Sequence, residues 1–281
     1  MTTPDRRAPA RLADQRALLF DLDGVLTPTA DVHMRAWSRL FTPYLAAHGV
    51  APYTEQDYFA YIDGKPRYDG VRSLLESRGI DLPQGSPDDA PDAETVCGLG
   101  NRKNAEFTAE LAEHGVEPYP GSLRFLIAAI DAGLSVAVVS SSANATQVLR
   151  TAGILERFPV IVDGLVARQD ALAGKPAPDT YLDAASRFGL TAAECVVVED
   201  ATSGVEAGRN GAFGLVIGVD RGAGADALRA HGADVVVRDL DELVHELPEP
   251  ARARRRPSGP GAPCLQARSS HPNPLPSHGA P

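Results

Sequence analysis

What most restricts the fold of this chain is a set of short apolar runs, most of them valine-rich: Ala17-Leu18-Leu19-Phe20, Ser135-Val136-Ala137-Val138-Val139-Ser140, Val160-Ile161-Val162, Cys195-Val196-Val197-Val198, Gly214-Leu215-Val216-Ile217-Gly218-Val219 and Asp234-Val235-Val236-Val237. Each has strand length and reads as a strand buried on both faces. Helical patterns separate them. Strand, helix, strand at this interval implies right-handed crossovers and a parallel sheet with helices on both faces. The fold class is therefore α/β, with a Rossmann-like core. In such a sheet the functional side chains gather at one rim, beyond the carboxyl ends of the strands.

The first run ends abruptly in Asp21-Leu22-Asp23-Gly24-Val25-Leu26-Thr27. A carboxylate there can attack phosphorus and hold the phosphoryl group as an acyl phosphate, which makes Asp21 the candidate nucleophile. Asp23, two residues on, is the candidate proton donor and acceptor. Taken alone, the fragment also reads as an apolar strand closed by an ordinary Asp-Gly turn. Ser140 ends the second run in the same way, and Ser141-Ser142-Ala143-Asn144 leads toward a helix near Ala145. Hydroxyls and free N–H groups at that point suit a phosphate, although a helix cap without a ligand would use the same residue types. Gly174-Lys175-Pro176-Ala177-Pro178-Asp179 holds one lysine in a stiff loop, suited to a fixed positive charge beside a transferring phosphoryl group. Glu199-Asp200 follows the fourth run directly. Acids facing a rim that already holds Asp21 and Asp23 repel one another unless a cation sits among them. Oxygen donors of this kind suit Mg²⁺, so Asp21, Asp23, Glu199 and Asp200 are the candidate ligands.

Between the first and second runs, Val32, Trp37, Leu40, Phe41, Tyr44 and Leu45, and later Val71, Leu74 and Leu75, recur at helical spacing, with a turn-rich loop at 83–91. Their apolar faces need a partner, so residues 30–114 are expected to form a small helical domain over the rim, with 16–29 and 115–247 as the catalytic core. Residues 1–15 read as a loose, disordered leader. Residues 248–281 carry nine of the 23 prolines and almost no aliphatic side chains, and are expected to form a disordered tail. That tail holds five arginines against Glu249, a charge of +4, which leaves −14 of the overall −10 on the rest. An acidic body of this kind argues against generic nucleic-acid binding. No apolar run approaches bilayer length, the first sixteen residues carry arginines but no signal core, and Cys97, Cys195 and Cys264 are too scattered for a disulfide framework or a zinc site. The expectation is a cytoplasmic protein with no membrane partner.

In this order, Asp21-x-Asp23-Gly-Val-x-Thr27, Ser140, Lys175-Pro176 and Glu199-Asp200 resemble the four motifs of the haloacid dehalogenase superfamily of aspartyl-phosphate enzymes, over nearly everything from Ala17 to about Leu243. His33 and Trp37, Gly64-Lys65-Pro66-Arg67, Asp69-Gly70-Val71, Asn101-Arg102-Lys103-Asn104 and the Gly174–Asp179 loop resemble its β-phosphoglucomutase-like subfamily. The resemblance implies that the insert is a helical cap, that Mg²⁺ is the cofactor, that Arg67 holds a non-transferring phosphate and that Lys103 contacts the bound sugar phosphate. It implies a substrate site shared by Ser140, Ser141, Ser142, Asn144, Lys175, His33 and Trp37, in a monomer whose partner is a small sugar phosphate. Two activities stay open. One is a mutase joining β-glucose 1-phosphate to glucose 6-phosphate, and the other is a sugar-phosphate phosphatase, in which water takes the group from Asp21. The difference depends on how well the closed cap excludes water. A non-catalytic binding module is a third reading, against which the intact set Asp21, Asp23, Ser140, Lys175 and Asp200 speaks. Where many relatives place an acid between two threonines, this chain has Pro28 between Thr27 and Thr29, which should stiffen the junction between core and cap.

Overall fold

The computed structural model describes residues 11–249. The expected tail, apart from residues 248 and 249, and the first ten residues of the expected leader lie outside the described residues. Residues 11–15 depart from the leader expectation: Leu12–Asp14 is a 3-10 turn, and Leu12 is buried in the core beside the sheet. A leucine at that point has a pocket to enter, which composition alone does not reveal.

Six strands, β1 (Ala17–Phe20), β2 (Ser135–Val139), β3 (Val160–Val162), β4 (Cys195–Glu199), β5 (Leu215–Val219) and β6 (Val235–Val237), form one parallel sheet in the order β3-β2-β1-β4-β5-β6. β1 is central, with Phe20 level with Val138 on one side and Val198 on the other. Its side chains divide between the two faces with the two-residue period of a strand. Leu18 and Phe20 point into a cluster with Val136, Val138, Val196 and Val198, and Ala17 and Leu19 into one with Ala137, Val139 and Val197. The order in which successive strands are added changes direction between β1 and β4, and the crevice at such a switch is where an α/β sheet presents its ligand site.

Four helical elements make up the insert, residues 29–114, that follows β1: α1 (Thr29–Ala47), α2 (Glu55–Asp57, widening into a π turn over Tyr58–Ile62), α3 (Arg67–Ser77) and α4 (Val96–His114). They bury a separate cluster that includes Trp37, Phe41, Leu45, Ile62, Leu74 and Leu99. This independent core makes the insert a cap and not a decorated loop. Around the sheet lie α5 (Pro120–Asp131), α6 (Ala145–Thr151), α7 (Gly164–Gln169), α8 (Asp179–Arg187), α9 (Thr202–Asn210) and α10 (Ala225–His231). Phe125 and Leu149 cover one face, and Tyr181, Val205 and Leu228 the other. No helix of the described residues is long and apolar enough to cross a membrane.

The cap is closed on the core. Ser141 Oγ donates to Gly64 O at 2.8 Å, Asn144 Nδ2 to Asn104 Oδ1 at 2.7 Å, and Ser203 Oγ to Asp63 O at 3.3 Å. Pro28 stands immediately before α1 with φ −77°, and Thr27 and Thr29 on either side of it share a 2.8 Å hydroxyl contact.

Candidate active site

Asp21 is the first residue beyond β1, and its N–H still donates to Val198 O of β4 at 2.9 Å, so the sheet fixes its backbone. Its carboxylate does not stand alone. Lys175 Nζ lies 2.5 Å from Asp21 Oδ1, 2.5 Å from Glu199 Oε1 and 3.2 Å from Val139 O. Burial opposes the Lys175 charge, but Asp21 and Glu199 outweigh it and raise the ammonium pKa well above its usual value. Glu199 is wholly buried and accepts on every side: Oε1 from Lys175 and from the Tyr181 hydroxyl at 2.9 Å, Oε2 from the N–H groups of Asp200 and Ala201 at 3.1 Å each. Tyr181, one turn past the Lys175 loop, was not singled out from the sequence, because only the fold brings its hydroxyl to Glu199.

Asp21, Glu199 and Asp200 each present an oxygen, all within 4.8 Å of one another. Burial raises the carboxyl pKa of Asp21 and Asp200 well above the carboxylate range, and neighbouring acids add to it. A cluster of hard oxygens held short of charge balance fits a divalent cation such as Mg²⁺. The backbone is shaped for it: Gly24 sits at φ +87°, where a Cβ would lie 1.8 Å from Asp200 Oδ2. One expectation changes: the Asp23 carboxylate does not join this cluster, because it is turned toward the cap. Lys175 is the counter-ion of Asp21, the charge balance its loop suggests, and of Glu199 as well.

Asp23 Oδ1 accepts the Thr29 hydroxyl, and His33 Nε2 of α1 lies 3.4 Å away. His33 Nδ1 meets Lys103 Nζ of α4. The imidazole stacks on Phe107 with centroids 4.1 Å apart, and the ammonium lies 4.9 Å from the Trp37 ring centre. Burial works against the Asp23 anion, but His33 and Thr29 win and its pKa falls. Burial, then the Lys103 charge, lowers the His33 pKa. Burial, then Arg67, brings Lys103 down to about 7. The result is a line of three titratable groups from the sheet rim into the cap.

These groups surround one cavity of about 540 Å³, within the range that takes a small ligand. Asp21, Asp23, His33, Trp37, Arg67, Lys103, Ser140, Ser141, Ser142, Asn144, Glu199 and Asp200 all line it. Ser140 is buried, and its Oγ accepts the Ser142 N–H at 3.0 Å; Ser142 Oγ in turn accepts the Asn144 N–H at 3.2 Å. Arg67 Nη1 donates to Asn101 Oδ1 at 3.3 Å. Asp63 and Arg168 also line the cavity and were not singled out from the sequence. Burial and then Glu199 push the Asp63 carboxyl up to about 7. The one available signal for Asp63 was its place directly before Gly64-Lys65-Pro66-Arg67.

Comparison with known proteins agrees with this geometry. The model of a hydrolase family, the haloacid dehalogenase-like hydrolases, matches residues 15–211. The chain is 52% identical over 239 residues to a β-phosphoglucomutase of Mycobacterium tuberculosis, covering 82% of this chain and 91% of that protein. It is 30% identical over 230 residues to hexitol phosphatase A of Escherichia coli, covering 82% of this chain and 93% of that protein. The crystal structure of a β-phosphoglucomutase from Clostridium difficile has the same fold, with a TM-score of 0.66 at 24% identity over 82% of this chain and 93% of that one.

Proposed function

The chain belongs to the haloacid dehalogenase-like hydrolase family, in its β-phosphoglucomutase-like subfamily, and we propose that it moves a phosphoryl group between the two ends of a hexose through an aspartyl-phosphate on Asp21. The substrate we assign is β-glucose 1-phosphate and the product glucose 6-phosphate. The observation that carries this reading is the pairing of a nucleophile on the sheet with an acid–base residue, Asp23, whose carboxylate lies 3.4 Å from His33 Nε2, while His33 Nδ1 meets Lys103 within the cap. Such a contact completes the site only while the cap is shut, which favours a sugar hydroxyl over bulk water as the acceptor.

Primed by the 1,6-bisphosphate, Asp21 carries the phosphoryl group as an aspartyl-phosphate; the free hydroxyl of β-glucose 1-phosphate attacks it, Asp23 takes the hydroxyl proton, and the bond from phosphorus to Asp21 breaks to give the bisphosphate. With the bisphosphate turned end for end, an Asp21 oxygen attacks the phosphorus at the other end, the bond from phosphorus to the sugar oxygen breaks, and Asp23 returns its proton to that oxygen. Glucose 6-phosphate leaves and the aspartyl-phosphate is restored. Lys175 fixes the orientation of Asp21 and balances Glu199. The Ser140 hydroxyl and the N–H groups of the following loop face the transferring phosphoryl oxygens, and Arg67 holds the phosphate that stays in place. Bound at Asp21, Asp200 and Glu199, Mg²⁺ would neutralise charge on the phosphoryl oxygens and on the nucleophile. Glu199 can serve as a ligand only by giving up a bond it now accepts.

The relative named hexitol phosphatase A supports a second reading, hydrolysis of a sugar phosphate by the same Asp21 chemistry. One experiment separates them. Purified protein with Mg²⁺, β-glucose 1-phosphate and a trace of the 1,6-bisphosphate should yield glucose 6-phosphate faster than inorganic phosphate. Arg67→Ala should slow that conversion by roughly ten- to a hundredfold, the cost of one charged hydrogen-bonding partner. Dominant phosphate release that Arg67→Ala leaves untouched would establish the phosphatase instead.

A further inference from the structure

We infer that Arg168 is a second guanidinium of the substrate site, gripping from the core side the same non-transferred phosphate that Arg67 holds from the cap side; this rests on the sugar-phosphate reading above. The placement of α7 carries the inference. Asp163 caps that helix, its Oδ1 accepting from Leu165 N at 2.9 Å and Val166 N at 3.0 Å. Gly164 then lets the helix press directly on the Ser141–Asn144 loop: its N–H donates to Ser142 O at 3.1 Å, and a Cβ would lie 2.7 Å from Ser141 O. Arg168, one turn along, is thereby carried to the cavity wall beside that loop.

The other cations around the cavity are engaged. Lys175 is bound to Asp21 and Glu199, Lys103 meets His33, Lys65 donates to Ser73 at 2.9 Å and Arg67 to Asn101. Arg168 has no carboxylate within ion-pair distance among the described residues; the nearest acid in sequence, Asp170, pairs with Arg187 at 3.3 Å. The two guanidinium groups feel each other across the cleft, for Arg168 adds to the burial that lowers the Arg67 pKa. Two guanidinium groups on one cavity, neither with a carboxylate within ion-pair distance among the described residues, call for an anion there. In the loop after β2 the Ser142 and Asn144 N–H groups already donate to hydroxyls, the Ser141 hydroxyl and the Asn144 amide reach the cap, and no side chain is charged, so a doubly charged phosphate seated beside it needs its cations from either side. Guanidinium forks suit that geometry better than an ammonium does.

Arg168 is exposed, so its replacement removes a charge without opening the core. The test titrates glucose 1,6-bisphosphate into Asp21→Asn protein, with and without Arg168→Gln, by calorimetry, and in parallel follows conversion of β-glucose 1-phosphate by wild type and Arg168→Gln. Dissociation constant and KM should both rise about tenfold in the glutamine variant, with kcat changed far less. Arg168→Lys should recover part of the loss, a rescue that a merely structural role would not show. Equal affinity with and without Arg168→Gln overturns the inference, whatever the wild type catalyses. Affinity that depends on Arg168 in a protein that turns over no glucose phosphate overturns the mutase reading and leaves this one standing.

Discussion

The floor and the wall of the cavity are built on opposite plans. On the floor, Asp21, Lys175 and Glu199 are 7%, 4% and 0% exposed, and the sheet or a bond of 2.5 to 3.2 Å holds each of them. On the wall, His33, Arg67, Lys103 and Arg168 ride on helices, and burial lowers the pKa of the first three. The floor sets one ammonium against three acids and is short of a cation; the wall carries Arg67 and Arg168, neither ion-paired among the described residues, and is short of an anion. Chemistry common to many substrates therefore sits on the rigid sheet, whereas choice among substrates sits largely on helices of the cap. The three hydrogen bonds named above as joining cap to core are worth only about 0.5–1.5 kcal/mol each, so the wall can lift while the floor stays assembled.

Removing the reactive group from the floor should have the largest effect. Asp21→Asn keeps the shape and still accepts from Lys175, so the fold should survive while turnover and acyl-phosphate labelling fall to the background of the assay. Labelling that persisted would move the nucleophile elsewhere. Next in size is Lys175→Met, which leaves Asp21 and Glu199 buried without their cation. Breaking one side of a buried ion pair costs about 3–5 kcal/mol, so the urea midpoint should drop sharply and added Mg²⁺ should restore part of it. A midpoint within error of wild type would show that the floor does not depend on this lysine.

The same contrast decides what could be read from the sequence. Asp21, Ser140, Glu199 and Asp200 follow apolar runs directly, and a strand carries whatever follows it to the rim, so their convergence was legible. The parallel sheet and the helical insert were legible for the same reason, since burial on both faces and helical spacing are written in local pattern. Lys175 was legible as a cation and not as a buried one, because its position depends on where Glu199 and Tyr181 point. Asp23 was legible as an acid, but its partners Thr29, His33 and Lys103 come from two helices that meet only when the cap packs. Asp63 was legible only by its place before Gly64-Lys65-Pro66-Arg67 and Arg168 not at all: one depends on the cap docking on the core, the other on α7 pressing against the loop after β2. Leu12 was lost in a stretch of arginine and proline.

On the wall the smallest of these effects should run the other way. Burial and Arg67 hold the Lys103 pKa at about 7, against about 10.5 for an ordinary lysine. Above pH 10.5 neither folded nor unfolded chain binds that proton. As pH falls toward 7 the unfolded chain takes it up and the folded chain does not, so stability declines through this window and levels off below it. Lys103→Met puts an apolar chain of similar length between the Trp37 and Phe107 rings, whose centres lie 4.9 and 5.0 Å from the ammonium, and it abolishes this slope. The variant should melt several degrees higher at pH 6–7, with the gain shrinking toward pH 10, while conversion of β-glucose 1-phosphate weakens because His33 loses its Lys103 partner. Thermal melts across pH 6–10 give the answer. A Tm lowered equally at every pH would mean that Lys103 is held as firmly as the groups on the floor, and the contrast between the two sides would fail at this residue.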